Sequence, residues 1–363
     1  MHKFTLNKTI NFLLFFILST VILYYARKFL IPITFGLLFA MLFTPLSAKF
    51  ESKGIHRAAA ALLCILVFLG VITGVITLLS WQVSDLNEDV SQMQQKLSNL
   101  WAQTQQWIVE KFDITIEKQK QIIKEQQSSG GGGAGRMAAS FAGSIFSTLV
   151  NFILVLVYIF LFMYYRRRIK DSIVKLVPAG ERENTTKIVR DASKVSQQYL
   201  LGLGSMIVIL WIMYGIGFSI VGVKSAILFA IICGLLEIVP FIGNLTGTSL
   251  TLLMVLSQGG NAQMVIGVVI TYMLVQFIQT YILEPLVVGA KVNINPLFTI
   301  LILVGAEMVW GIPGMVLAIP IMGMVKIICD HIEPLKPYGY LIGENVGKTQ
   351  ESSWIKKLKA LAR

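Results

Sequence analysis

Two glutamates set inside long apolar stretches are the residues best suited to chemistry. Glu237 lies within Ala226 to Ser257, AILFAIICGLLEIVPFIGNLTGTSLTLLMVLS, and Glu307 within Leu297 to Cys329, LFTILILVGAEMVWGIPGMVLAIPIMGMVKIIC. An ionised carboxylate at mid-bilayer costs about 3 kcal/mol on insertion scales, so each glutamate needs partners or a proton. Proton or cation coupling, or hydrogen bonding to a polar substrate, is the chemistry such a group supports. The plainer alternative is a protonated Glu tied to backbone carbonyls freed by the adjacent break. Gln276, Thr280 and Glu284 follow at i, i+4 and i+8, with Gln279 beside them, on one helical face of an otherwise apolar span. That face turns to a cavity or glues two helices together. Asn244, Thr246, Thr248 and Ser249 after the first break, and Asn293 and Asn295 before the second, add neutral donors and acceptors for a hydroxylated solute.

Catalysis finds no comparable support. HExxH, GxSxG and paired intramembrane aspartates are all missing, and His2, His56 and His331 lie near ends or loops. No Walker A sequence is present, which excludes ATP-driven transport by this chain alone. The expectation is a non-enzyme with no cofactor and no metal. Cys64, Cys233 and Cys329 sit in apolar segments, odd in number and without metal-ligand spacing.

The segments that hold the glutamates must be broken. Each runs over thirty residues, roughly 48 Å as one helix against a hydrocarbon core of ~30 Å. Half of either, about 14 residues, would reach only ~21 Å. Gly234, Pro240 and Gly243 mark the first break, and Gly305, Gly311, Pro313 and Gly314 the second. Broken or re-entrant helical hairpins fit these lengths, and irregular backbone at membrane depth survives only inside protein or beside a cavity.

Around them the chain is a membrane protein. Mean hydropathy is +0.72; 55% of residues are apolar and 14% charged, which excludes an ordinary soluble domain. The formal charge of +12 comes from Lys and Arg beside apolar segments, the positive-inside pattern, with none of the interleaved aromatics of a nucleic-acid surface. Full spans are expected at about 9–26, 29–46, 58–81, 141–165, 199–221 and 264–283, the first a signal-anchor rather than a cleaved leader. Arg166-Arg167-Arg168-Ile169-Lys170 is the strongest orientation signal and puts 166–198 in the cytoplasm, with both termini on the same side. An amphipathic helix is expected over 181–198, with Ile188, Ala192, Val195 and Tyr199 on one side.

Domain organisation follows: N-terminal spans (1–81), a helical extracytoplasmic insert with a Gly-rich linker (82–140), the fourth span and basic helix (141–198), a transport core (199–330) and a basic tail (331–363). The insert carries an a/d seam from Val83 to Leu100 and the connector SSGGGGAG at 128–135. Trp354 to Arg363 has the pattern of a basic amphipathic helix, with a solvated tail as the alternative.

Residues 199–257 and 264–329 share one plan, a full span followed by a broken apolar stretch. If each stretch enters and leaves on one side, the two units are inverted repeats, the architecture of many secondary transporters. The fold class expected is therefore all-α polytopic, with six full spans plus two broken or re-entrant hairpins. The competing topology makes each broken stretch one kinked span, giving eight crossings and moving 284–295 to the outside.

Glu237-Ile-Val-Pro240-Phe-Ile-Gly243, then Gln279 with Glu284-Pro285-Leu-Val-Val-Gly289, Asn295-Pro296 and Gly311-x-x-Gly314-x-x-x-Ala318-x-Pro320 follow in order. In these marks and in overall layout the chain resembles the autoinducer-2 exporter family of bacterial permeases. The resemblance implies an oligomeric secondary transporter of the bacterial cytoplasmic membrane, commonly given eight spans and associated with export of the furanone precursor autoinducer-2. Some relatives are described as sodium/proton antiporters. It implies roles for Glu237, Pro240, Gly243, Gln279, Pro285, Gly289 and Pro320. Three readings follow: a proton- or ion-coupled exporter of a small polar solute, a monovalent cation/proton antiporter, and a channel or membrane scaffold.

Overall fold

The computed structural model describes residues 6–84, 134–239, 242–257, 259–289 and 293–344. The a/d seam beyond Ser84, Pro240 and the C-terminal basic segment lie outside them, as does most of the Gly-rich linker. The described residues are mostly helical, with an isolated bridge between Ile294 and Gly343. Among the described residues six helices are long and apolar enough to cross a membrane: Arg27–Ser52, Arg57–Gln82, Ser147–Lys175, Ala179–Val221, Ala262–Glu284 and Ile312–His331. The expected first span is not among them. The last is one half of the second broken stretch, longer than expected because the break falls at Gly311, before the middle, and the helix runs on to His331.

The N-terminal helices are α1 (Leu6–Tyr25), α2 (Arg27–Ser52) and α3 (Arg57–Ser84). At 20 residues, α1 is ~30 Å long, one bilayer core. It ends in Tyr24, Tyr25 and an Arg27 guanidinium 4.8 Å from the Tyr24 ring, a group typical of the membrane–water interface. The fourth span is part of a 42-residue helix, α4 (Ala134–Lys175), which carries on through the arginine cluster. After a 3₁₀ turn (Ala179–Glu181), the amphipathic segment and the fifth span form one 40-residue helix, α5 (Arg182–Val221). No Pro or Gly lies between Arg182 and Leu201 to stop it. Ala192 and Tyr199 are buried as the stripe requires, and Ser196 joins them.

Both broken stretches fold back as helix pairs. The first is α6 (Ala226–Leu236) and α7 (Ile242–Ser257). Cys233 Sγ lies 3.6 Å from Thr251 Oγ1, a contact that a single kinked span would not make across 18 residues of chain. Gly243 sits directly on the Leu236 carbonyl, where a β-carbon would collide with backbone. Next comes α8 (Ala262–Ile278), capped by the Asn261 side chain accepting from the Met264 N–H. A π-helix then runs from Gln279 to Gly289, so the expected polar loop at 284–295 is helical over its first half. Pro285 explains the register: it has no N–H for the Tyr281 carbonyl, and i→i+5 spacing hands that acceptor to Leu286.

The second pair is α9 (Pro296–Trp310) and α10 (Ile312–His331), joined by Gly311 at φ 64°. Gly311 donates its N–H to the Glu307 carbonyl at 2.7 Å, ending α9. Positive φ favours glycine there. A 3₁₀ turn (Glu333–Leu335) and a short α11 (Lys336–Ile342) follow.

Contacts divide the chain into two units. One comprises 1–31, 165–202 and 288–363, and the other 32–164 and 203–287. The second unit has a core of Ala40, Ala61, Cys64, Ile65, Ile159 and Met163 from α2, α3 and α4. Its remaining helices join through Tyr214 and Phe218, both about 1% exposed, and through Gly217, whose missing side chain admits Thr271 of α8. Gly204, on the same helix, meets nothing within 4 Å.

Candidate functional site

The second unit brings the first break and the polar face of α8 together. Glu237 caps the C-terminus of α6, its N–H bonded to the Cys233 carbonyl at 3.1 Å. Its Oε1 accepts a 2.8 Å hydrogen bond from Gln279 Nε2, across 42 residues of sequence. Gln279 is the first residue of the π-helix and only 2% exposed, while Glu237 is half-buried. The amide donor offsets part of the cost of placing a carboxylate in apolar surroundings. The other side of the amide is unspent: Gln279 Oε1 is buried and has no hydrogen-bond donor among the described residues. A buried acceptor beside a carboxylate is a place where a donor or a cation would be stabilised.

Further polar side chains lie on these helices and on α5. Tyr272 is hydrogen-bonded to Thr248 of α7. Thr251 returns its hydroxyl to the Gly247 carbonyl at 2.9 Å, and Trp211 of α5 donates to the Ile231 carbonyl of α6 at 3.1 Å. Gln276 donates to Thr280 at 3.3 Å, one turn along α8 from Gln279. Thr280 and Glu284 are exposed. The even spacing therefore does not share one environment: Gln279, at the edge of the expected face, is the buried member. Sequence reasoning missed Tyr272 and Thr251. A polar residue on the inner face of an apolar helix was the available signal for Thr251; Tyr272 carried none. The side chains of Asn244, Pro285 and Gly289 lie outside the described residues, as does Pro240.

The first unit treats its candidates differently. Asn295 caps α9, its Oδ1 accepting from the Phe298 N–H at 2.9 Å and its Nδ2 donating to the Leu341 carbonyl at 2.8 Å. Its backbone N–H reaches the Ile342 carbonyl at 2.9 Å. Oδ1 thus caps α9, while Nδ2 and the backbone N–H hold α11 against its start, with Pro296 at the first helical position. Replacing Asn295 with Ala is expected to cost about 1–2 kcal/mol, read as a lower unfolding temperature of the purified protein with transport otherwise intact.

Glu307 is exposed on α9, one turn before the hairpin tip at Gly311. Trp310, the last residue of α9, donates its indole N–H to the Leu23 carbonyl at 2.9 Å. Leu23 lies two residues from the end of α1, within the Tyr24–Tyr25–Arg27 group. The tip thus reaches the far end of α1, and Glu307 sits about 5 Å from that level. Gly314 permits the turn, because a β-carbon there would collide with the Ala306 carbonyl. Pro313 lies in the first turn of α10, where its missing N–H is harmless, and Pro320 is buried within it.

These features define an all-α integral membrane protein with a polar centre at a broken helix. Residues 12–333 match the family model for AI-2E family transporter, and the chain belongs to that family. It is accordingly a membrane transporter. Three similar proteins carry the name "Putative transport protein". YueF of Bacillus subtilis strain 168 is 26% identical over 327 residues, 86% of each chain. YrrI of the same organism is 24% identical over 312 residues, 84% of this chain and 87% of the relative. MT0215 of Mycobacterium tuberculosis is 24% identical over 324 residues, 85% of each.

Proposed function

We propose that this protein is a secondary transporter that exports a small polar solute of the autoinducer-2 type, coupled to a proton or ion through Glu237. The observation that carries the reading is the Glu237–Gln279 hydrogen bond. It ties the broken α6–α7 pair to the π-helix, so loading Glu237 with a proton alters a contact between two irregular elements. Irregular helices tolerated at membrane depth mark binding sites in transporters, and π-helical turns are frequent at functional sites. The hydroxyls of Tyr272 and Thr248 supply neutral hydrogen bonds for the solute. Glu307, exposed near the hairpin tip, serves the approach to the transport path. The protein works as a homo-oligomer in the bacterial cytoplasmic membrane, in contact with lipid, with both termini in the cytoplasm.

One observation favours the alternative, a monovalent cation/proton antiporter. Gln279 Oε1 is buried without a donor among the described residues, and a carboxylate beside such an amide oxygen suits a bare cation as well as a hydroxyl. Proteoliposome flux separates the two. Solute efflux driven by a proton gradient supports the exporter, and sodium-dependent proton movement without solute efflux supports the antiporter.

The hairpin reading makes its own prediction. In a Cys-free background, Asn293→Cys and Glu307→Cys are expected to react with an impermeant thiol reagent from opposite sides, 293 from the cytoplasm. Labelling of the Asn293→Cys variant from outside would replace the α9–α10 hairpin with a kinked single span.

A further inference from the structure

We infer a second proton-binding site, His331, that locks the cytoplasmic part of α5 onto the open end of the α9–α10 hairpin when it is charged. His331 is the last residue of α10. Its Nδ1 lies 2.8 Å from the Ile327 carbonyl one turn back. A carbonyl oxygen only accepts, so Nδ1 carries the hydrogen. In the neutral ring Nε2 is then a bare lone pair, and it lies 3.8 Å from Asp191 Oδ2 on α5. Two acceptors face each other in that state. A proton on Nε2 turns the same contact into an imidazolium–carboxylate pair. Asn184 of α5 donates to the His331 carbonyl at 3.2 Å, a contact independent of protonation that keeps the two elements in register.

The neighbouring charges are paired or turned to solvent. On α5, Arg190 Nε lies 3.5 Å from the opposite oxygen of Asp191, Lys187 pairs with Glu183, and Arg182 and Lys194 are exposed. On α10, Lys326 holds Asp330 at 2.6 Å, and just beyond it Lys336 pairs with Glu333. Arg190 leaves Asp191 one oxygen for His331. The side chains are 29% and 34% exposed, open enough for the ring to exchange protons with solvent. This site is separate from Glu237 and stands whichever cargo is carried.

The test uses the full-length protein in liposomes with spin labels at positions 183 and 333, both 83% exposed. The short-distance population is expected to be about two- to fivefold larger at pH 6 than at pH 8, the range of a partly exposed ion pair. His331→Gln and Asp191→Asn should each remove that dependence, with a pH-independent docked population remaining through Asn184. His2 and His56 stay in every variant and control for other histidines. Identical distributions at both pH values in the parent, or an undiminished response in either variant, would overturn the site.

Discussion

Glu237→Gln is expected to reduce proton-dependent flux in proteoliposomes to near background while the protein still inserts and purifies as the parent does. The substitution keeps the shape and removes the titratable group. Gln279 then faces an amide instead of a carboxylate, which can accept its hydrogen bond but cannot carry a proton across the cycle. Gln279→Leu attacks the pair from the other side. It preserves bulk at a position only 2% exposed but leaves Glu237 without the donor at 2.8 Å. Loss of one partner of a buried charged hydrogen bond costs about 1–3 kcal/mol or more, so flux should fall and its pH dependence should move. Glu307→Gln, by contrast, should have the milder effect, because Glu307 is exposed near the hairpin tip. Parent-like flux from Glu237→Gln would remove this pair from the transport path. An effect from Glu307→Gln as large as that from Glu237→Gln would return the second glutamate to the centre of the mechanism.

Gly314→Ala is expected to destabilise the hairpin. A β-carbon at 314 runs into the Ala306 carbonyl and lies 3.0 Å from Trp310 Cβ. The first is backbone and cannot swing away, so α9 and α10 must separate. Overpacking of this kind costs about 1–3 kcal/mol. Gly305→Ala on the same helix pair is the control, because nothing lies within 4 Å of its added carbon. There the gain in helix propensity, up to about 1 kcal/mol, should leave the unfolding temperature unchanged or higher. Equal effects at 305 and 314 would mean the hairpin does not close as described. Since Trp310 holds the tip to Leu23, loosening the hairpin should also free the end of α1, seen as faster hydrogen exchange after residue 20.

The two glutamates show how far pattern reasoning reached. Both looked alike in the sequence, each a lone acid beside a Pro/Gly break in a stretch too long for one span. Hydropathy and length were enough to identify five of the six long apolar helices and to require that both stretches be broken. The family marks were legible too, because they are local strings of Glu, Pro and Gly. Asn295 could also have been read locally: Asn followed by Pro before an apolar run is a helix start, and capping is the work it does.

What the sequence by itself determined is the class of the protein: all-α, membrane-embedded, with breaks near Glu237 and Gly311 and a family pattern running through both. Only the tertiary structure decided what each residue meets. Glu237 finds Gln279 across 42 residues of sequence, and His331 finds Asn184 across 147. Helical periodicity gives the direction of a side chain around its own axis, but the partner depends on how far helices slide and approach, which is set by contacts such as Gly217 on Thr271 and Gly314 on Ala306. Depth is nonlocal for the same reason. Glu307 occupies the middle of an apolar string, yet the chain turns at Gly311 and carries it to the end of α1, because a fold-back puts the middle of a string at its tip.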